Sequence, residues 1–210
     1  MTARKPSSQA DDLEAAFHRL HGTGEVPSLL IGLAGPKRAG KDTAADWICG
    51  RRHLYFDRIA LADPIKDGLK AMLGLEHCEL YDPKLKDTEI DWLGCTSRHL
   101  MQTLGTEWGQ GHVCTDIWLR VAQRQINAIR RMREFTDGIV VTDIRFEHEA
   151  DWLRKQGGQL WHIRRDIQAS DPHSSEQGIA LQPGDVEIFN TGSLAQLHAQ
   201  LATALKEARQ

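Results

Sequence analysis

The chain has 210 residues, 40% of them hydrophobic and 26% charged, with a formal net charge of −3 at pH 7. That length suits one domain around a single sizeable core, and the slightly acidic balance excludes a global field that would draw in nucleic acid. No apolar run approaches a membrane span, and residues 1–17 lack the apolar centre of a secretion signal, so a cytoplasmic protein is expected.

Residues 1–9 are polar, and 11–21 read as a short helix with Leu13, Phe17 and Leu20 on one face. The glycines and proline of HGTGEVP end it. Residues 28–33 are a continuous apolar run of the kind a buried parallel strand needs. A helix over 39–50 follows, closed by Gly50. Residues 55–63 read as a second strand, and Pro64 opens a helix to about Leu73 at a position where its missing N–H costs nothing. The stretch LEHCELYDPKLKDTEIDWLGC is charged and shows no regular period. A helix over 97–104 is capped by Thr96 or Ser97, and a longer one over 116–133 gathers Ile117, Val121, Ile126 and Ile129 on one side. A strand over 138–143, a helix over 147–156 stopped by Gly157 and Gly158, strands over 159–164 and 185–190, and an amphipathic helix over 193–208 complete the chain. This alternation predicts an α/β fold with five parallel strands between helical layers. The polar stretch 165–183 carries Pro172, Gly178 and Pro183, and its length marks a functional lid or a disordered loop.

Gly35, Gly40 and Lys41 satisfy the pattern GxxxxGK, with a strand before it and a helix after it. Glycines let backbone amides turn inward around phosphate oxygens, the helix start adds partial positive charge, and Lys41 supplies a point charge for β- and γ-phosphates. The next position holds Asp42 rather than Ser or Thr, and Thr43 follows. A carboxylate beside phosphates is repelled unless a cation lies between, so Asp42 is expected to face Mg²⁺ through water, with the Thr43 hydroxyl at a phosphate or the ion. A plain strand–turn–helix corner is the competing reading, and the context disfavours it.

A second signal is GIVVTDIRF. Asp143 ends a strand, where open α/β sheets bind ligands, and can orient Mg²⁺ or the attacking oxygen. The alternative is an aspartate that caps a turn; Arg145 tips the balance towards a site. Asp63 and Lys66 follow the second strand, and Arg98 and Gln102 stand four apart on one helical face, with the planar arginine fork suited to a phosphate. Cys49, Cys78, Cys95 and Cys114 are too widely spaced for a zinc site and read as free thiols. His162 and His173 are the nearest histidine pair, and satisfied or surface histidines are expected. Arg120, Arg124, Arg130, Arg131 and Arg133 spread around their helix without interleaved aromatics, which argues against a nucleic-acid face.

Taken together, GLAGPKRAGKDTAAD, LADPIKDGL, TSRHLMQTLGTEWG, VVTDIRFEHEA, HIRRD…DPHSSE and EIFNTGSLAQL resemble, in this order, the phage-type deoxynucleoside monophosphate kinases, over about residues 29–205. The resemblance implies a P-loop NTPase three-layer fold with an acceptor-binding region near 64–115 and a lid at 165–183, and leaves 1–27 as an unmatched extension. It implies ATP- and Mg²⁺-dependent phosphoryl transfer to a deoxynucleoside monophosphate by a monomer or homodimer, in a host cytoplasm if phage-encoded. Gly35, Lys37, Ala39, Gly40, Lys41, Asp42 and Thr43 would hold ATP. Lys66, Arg98 and Gln102, with Asp143 and Arg145, would hold the acceptor. Arg164 and Arg165 look like lid arginines, and Asn190 and Thr191 would lie near the adenine. The family pattern usually has proline at Ser97 and arginine at Gln110. The rival readings are kinases of phosphomevalonate or dephospho-coenzyme A type, and a DNA-associated ATPase.

Overall fold

The computed structural model describes residues 28–132, 136–165 and 178–210. The expected helix over 11–21, Arg133, His173 and the DPHSSE stretch lie outside the described residues. In chain order the elements are β1 (Leu29–Ala34), α1 (Lys41–Cys49), β2 (Phe56–Ile59), α2 (Asp63–Leu73), α3 (His77–Tyr81), a 3₁₀ turn (Leu85–Asp87), β3 (Glu89–Ile90), β4 (Cys95–Thr96), α4 (Ser97–Gln102), a π-helical segment (Thr103–Val113), α5 (Ile117–Met132), β5 (Gly138–Ile144), α6 (Glu147–Lys155), β6 (Gln159–Arg164), β7 (Val186–Phe189) and α7 (Leu194–Glu207).

The main sheet has the order β2-β5-β1-β6-β7, and every pairing is parallel. From β1 the chain runs out to the edge strand β2, returns to β5, then crosses β1 to β6 and β7. The order therefore reverses around β1, which places a crevice between strand ends there. Strand alternation builds the layers. Ile31, Leu33, Val140, Trp161, Ile163 and Ile188 face α1 and α7, meeting Ala44, Ile48, Leu197 and Leu201. Leu30, Ala34, Ile139, Val141 and Leu160 face the opposite way, onto Leu119, Ala122 and Ile126 of α5 and Ala150 and Leu153 of α6. Truncating a fully buried member such as Leu153 to alanine costs about 2–5 kcal/mol.

Several expected boundaries move, two of them for a clear local reason. The helix expected over 39–50 starts at Lys41, because Gly40 has φ 104°, a left-handed conformation outside the helix. The strand expected over 55–63 ends at Ile59, where the Asp63 amide donates to the Ala60 carbonyl (3.1 Å) and turns the chain into α2. The irregular charged stretch resolves into α3, the 3₁₀ turn and the small antiparallel β3–β4 hairpin. It rests on its own apolar cluster of Ile65, Leu69, Leu75, Leu80 and Ile90. Thr96 caps α4, its hydroxyl accepting the His99 amide (3.2 Å). The buried Ser97 hydroxyl instead donates to the Glu79 carbonyl (2.5 Å), tying α4 to α3.

Candidate active site

Each main-sheet strand delivers a candidate residue to the same end of the sheet. Gly35 follows β1, Asp63 follows β2, Asp143 and Arg145 close β5, Arg165 follows β6 and Asn190 follows β7. This is the carboxyl end, where open parallel sheets bind ligands.

The glycines of the first loop are there for geometry. Gly35 and Gly40 have φ of 143° and 104°. A Cβ on Gly35 would collide with the Ile163 carbonyl oxygen, and one on Gly40 with the Asn190 side-chain amide. Arg38, between them, is left-handed at φ 65°, a conformation costing about 1–2 kcal/mol for a residue with a Cβ. Neighbours hold it there. Arg165 Nη1 donates to the Arg38 carbonyl (3.3 Å), and Asn190 Nδ2 donates to the Ala39 carbonyl (2.8 Å). The Asn190 backbone amide donates in turn to Arg164 O (2.7 Å), so the β6 and β7 ends brace the loop. No side chain caps α1, which leaves its first-turn amides and the positive end of its dipole directed at the loop. Lys41 Nζ lies across the loop, donating to Gly35 O (2.7 Å) and Pro36 O (2.9 Å). Two left-handed glycines, an uncapped helix start and an ammonium thus meet at this loop, the combination that anion sites use, with the Ala39 amide engaged by Pro36 O (3.1 Å). Lys37 and Thr43 are exposed at its rim.

Several expected residues have other partners. Asp42 accepts Arg58 Nη2 (2.6 Å), and Arg58 Nη1 reaches Asp46 (2.6 Å), so Asp42 is bound to an arginine of β2. The carboxylate that was expected to face a metal through water thus has this arginine as a partner. Asp143 accepts the Leu61 amide on Oδ1 (2.8 Å) and the Ala62 amide on Oδ2 (3.3 Å). Its carboxylate thus holds the turn that starts α2. Burial raises its pKa, while those two amides and Arg145 pull it down less strongly. Arg164 was expected in the lid; it ends β6 and donates to Glu187 of β7 (3.0 Å), because it is the last rung of that pairing. The end of the expected 165–183 lid is also anchored. Ile179 is buried against the α5–α6 face, Ala180 N donates to Glu147, and Arg154 Nη2 donates to Ala180 O (3.2 Å). His162 is a satisfied core histidine, its Nε2 3.0 Å from Asp185 Oδ2.

A second cationic group lies in the neighbourhood of the loop, near enough for Lys37 to act on Asp87 and Asp42 on Lys86. Lys66 Nζ donates to Asp63 Oδ1 (3.2 Å) and sits 4.1 Å from the Tyr81 ring centroid. Arg98 grips Asp87 with its fork, Nε to Oδ1 and Nη2 to Oδ2 (3.0 Å). Gln102, one turn on, is exposed, as is Arg145. Lys86 belongs here and was missed. Burial, then the nearby charges of Lys66, Arg98 and Arg145, push its ammonium below the usual lysine range, with Asp42 opposing. Its sequence signal, a lysine in DPKLKD, is no different from a solvated charge run. Glu149 was missed too: its Oε2 accepts the Arg145 amide (2.7 Å) and the Phe146 amide (3.1 Å), fixing the turn that carries Arg145. The DxRFxxE spacing was its signal.

The family model described as deoxynucleotide monophosphate kinase matches residues 88–201. A protein of Acanthamoeba polyphaga mimivirus, provisionally described as a deoxynucleotide monophosphate kinase, is 29% identical over 87% of this chain and 98% of its own length. The deoxynucleotide monophosphate kinase of Enterobacteria phage T4 is 26% identical over 84% of this chain and 98% of its own. That of Escherichia phage RB69 is 31% identical over 74% of this chain and 62% of its own. A solved sugar kinase from Janibacter sp. HTCC2649 superposes over 86% of this chain and 95% of its own with a TM-score of 0.47 and 16% identity.

Proposed function

The chain belongs to the deoxynucleotide monophosphate kinase family, and from that premise we propose that it transfers the γ-phosphoryl group of ATP to a deoxynucleoside monophosphate, releasing ADP and the deoxynucleoside diphosphate. The observation that carries this reading is that a glycine loop crossed by Lys41 and a cluster of cations are electrostatic neighbours. The glycine loop with Lys41 is the donor cradle, and the group of Lys66, Lys86, Arg98 and Arg145 is the acceptor's.

In this reading the backbone amides from Lys37 to Thr43, apart from that of Ala39, which donates to Pro36 O (3.1 Å), hold the triphosphate with the Lys37 and Lys41 side chains. The acceptor group holds the monophosphate, with Gln102 beside Arg98. The acceptor's own phosphate oxygen attacks the γ-phosphorus in line as the bond to the β–γ bridging oxygen breaks, so no side-chain nucleophile is required. Positioning and electrostatics carry the acceleration. Lys41 follows the charge that develops on the transferring group. Arg165, bonded to the loop, is placed to add a second positive charge, and Asn190 acts as a brace of the loop rather than a contact to the base. Asp143 positions the β2–α2 turn from which Asp63 and Lys66 project.

Mg²⁺ favours hard oxygen donors, and the Thr43 hydroxyl and Asp143 carboxylate have that chemistry. Among the described residues no group of three His, Cys, Asp or Glu converges as a ready metal site, so such an ion would rely on the nucleotide's phosphates. When bound, it would supply charge neutralisation for the phosphate oxygens.

The test is ADP release measured across a panel of deoxy- and ribonucleoside monophosphates, phosphomevalonate and dephospho-coenzyme A. The expected result is release stimulated by deoxynucleoside monophosphates. Release that ignores every acceptor, or that answers only to a non-nucleotide one, would overturn the reading.

A further inference from the structure

Asp87 sits on Arg98 as a phosphate would, with both carboxylate oxygens on the Nε–Nη2 edge of the guanidinium. That edge is the geometry arginine uses for planar, bidentate recognition of carboxylate and phosphate alike. The carboxylate projects from the 3₁₀ turn Leu85–Asp87, and the neighbouring charges acting on this turn include Lys37, Lys66, Lys86 and Arg145. An acidic group is thus seated in a fork within a neighbourhood whose cations outnumber its other carboxylates, Asp42 and Asp63. The pair is open to solvent, with side-chain exposures of 39% for Arg98 and 57% for Asp87, and ion pairs so exposed are cheap to separate.

We propose that Asp87 is a displaceable stand-in for the acceptor's phosphate: it holds Arg98 in its binding pose and yields the fork to the incoming phosphate dianion. The inference rests on the reading of Arg98 as an acceptor-phosphate residue. A carboxylate carries one negative charge and a nucleoside monophosphate carries close to two, so the dianion wins the shared edge while weaker anions do not. Arg98 holds the Asp87 carboxyl below the usual carboxylate range, so the stand-in stays charged at neutral pH. The consequence is a threshold: a ligand must bring a full phosphate to open the fork.

The experiment titrates each of the four common deoxynucleoside monophosphates by calorimetry against the wild-type chain, Asp87→Asn, Asp87→Ser, Arg98→Ala and the double variant Asp87→Asn/Arg98→Ala, with Mg·ATP titrated in parallel. Asp87→Asn and Asp87→Ser are expected to tighten acceptor binding by roughly 1.5- to 5-fold. ATP affinity stays unchanged, and the gain disappears in the Arg98→Ala background. Unchanged or weakened acceptor binding in the Asp87 variants would overturn the proposal, because Asp87 would then be a fixed support of Arg98. A gain that persists without Arg98 would overturn it equally, as a general field effect. Acceptor binding left intact by Arg98→Ala alone would instead remove the assignment of Arg98 on which the inference stands.

Discussion

Replacing Lys41 with methionine keeps the length and apolar body of the side chain and removes only its charge and N–H groups. In the structure this deletes the donations to Gly35 O at 2.7 Å and Pro36 O at 2.9 Å. Hydrogen bonds to charged groups contribute about 1.5–3 kcal/mol each, and water replaces part of that at a half-buried site, so a net loss of about 1–2 kcal/mol is expected. For a chain of this size that lowers Tm by roughly 2–8 °C. The catalytic loss is larger. A charge placed where the transferring group gathers negative charge is worth about 10²–10³ in kcat, or about 3–4 kcal/mol. The two effects separate experimentally. Thermal melting reads the first, and steady-state kcat with ATP and acceptor both saturating reads the second. Lys41→Met is expected to melt slightly early yet turn over at least about 10²-fold more slowly. A rise in KM for ATP with kcat unchanged would mean that Lys41 binds ground and transition states equally. Turnover within a few-fold of wild type would refute the cradle as the seat of the donor phosphates.

Lys86→Met is expected to weaken acceptor binding several-fold while leaving ATP binding intact, read by separate titrations. Because the Lys86 ammonium is held below the usual lysine range, wild-type acceptor affinity should also decline with rising pH before ordinary lysines titrate, and that decline should be missing from the variant. Ser97→Ala strips the Glu79 carbonyl of its donor inside the protein and should cost about 1–3 kcal/mol in a denaturant melt; no loss would mean that water replaces the hydroxyl. Glu149 concentrates both amide bonds on Oε2, which a glutamine oxygen can reproduce. Burial raises the Glu149 pKa above its unfolded value despite those bonds, so the wild type loses stability as pH rises from the unfolded pKa, near 4.5, through the folded one. The stability of Glu149→Gln relative to wild type should therefore climb across that window and level off above it; a flat difference would contradict the burial argument.

Features set by local rules could be read from the chain alone. The five strands and the amphipathic α5 and α7 each rest on residues a few positions apart, where apolar period decides the outcome, and capping chemistry narrows the start of α4 to Thr96 or Ser97. The acceptor region followed no such rule. Its β3–β4 hairpin has two residues per strand, too short for any alternation to show. Its π-helical segment depends on a neighbour: Trp118 donates to the Gly105 carbonyl (2.8 Å) and packs where a Cβ on Gly109 would stand, 2.7 Å from the indole. A sequence pattern has no means of announcing that the indole comes from the next helix.

The same limit explains why the motifs indicate where a charged residue stands but not which partner it takes. Position in the topology follows from the order of elements, so Asp63 at the start of α2, Asp143 and Arg145 at the end of β5 and Asn190 after β7 all stand on the carboxyl side of the sheet. What each charged group does there depends on its neighbour from a distant segment. Arg58 takes Asp42, the Leu61 and Ala62 amides take Asp143, Glu187 takes Arg164 and Asp87 takes Arg98. Three of those four are ion pairs bridging at least 11 residues of sequence. A lone charged residue in a motif is therefore ambiguous between touching a ligand and holding the site's frame. The ambiguity has physical content, because the two roles respond differently to charge removal. A frame residue such as Asp143 should tolerate an isosteric amide only as far as an amide can accept the same two N–H groups. A ligand contact, the role proposed for Arg98, should on removal lose affinity for one substrate and leave the fold intact. Measuring stability and the two substrate affinities on the same variant is what separates them.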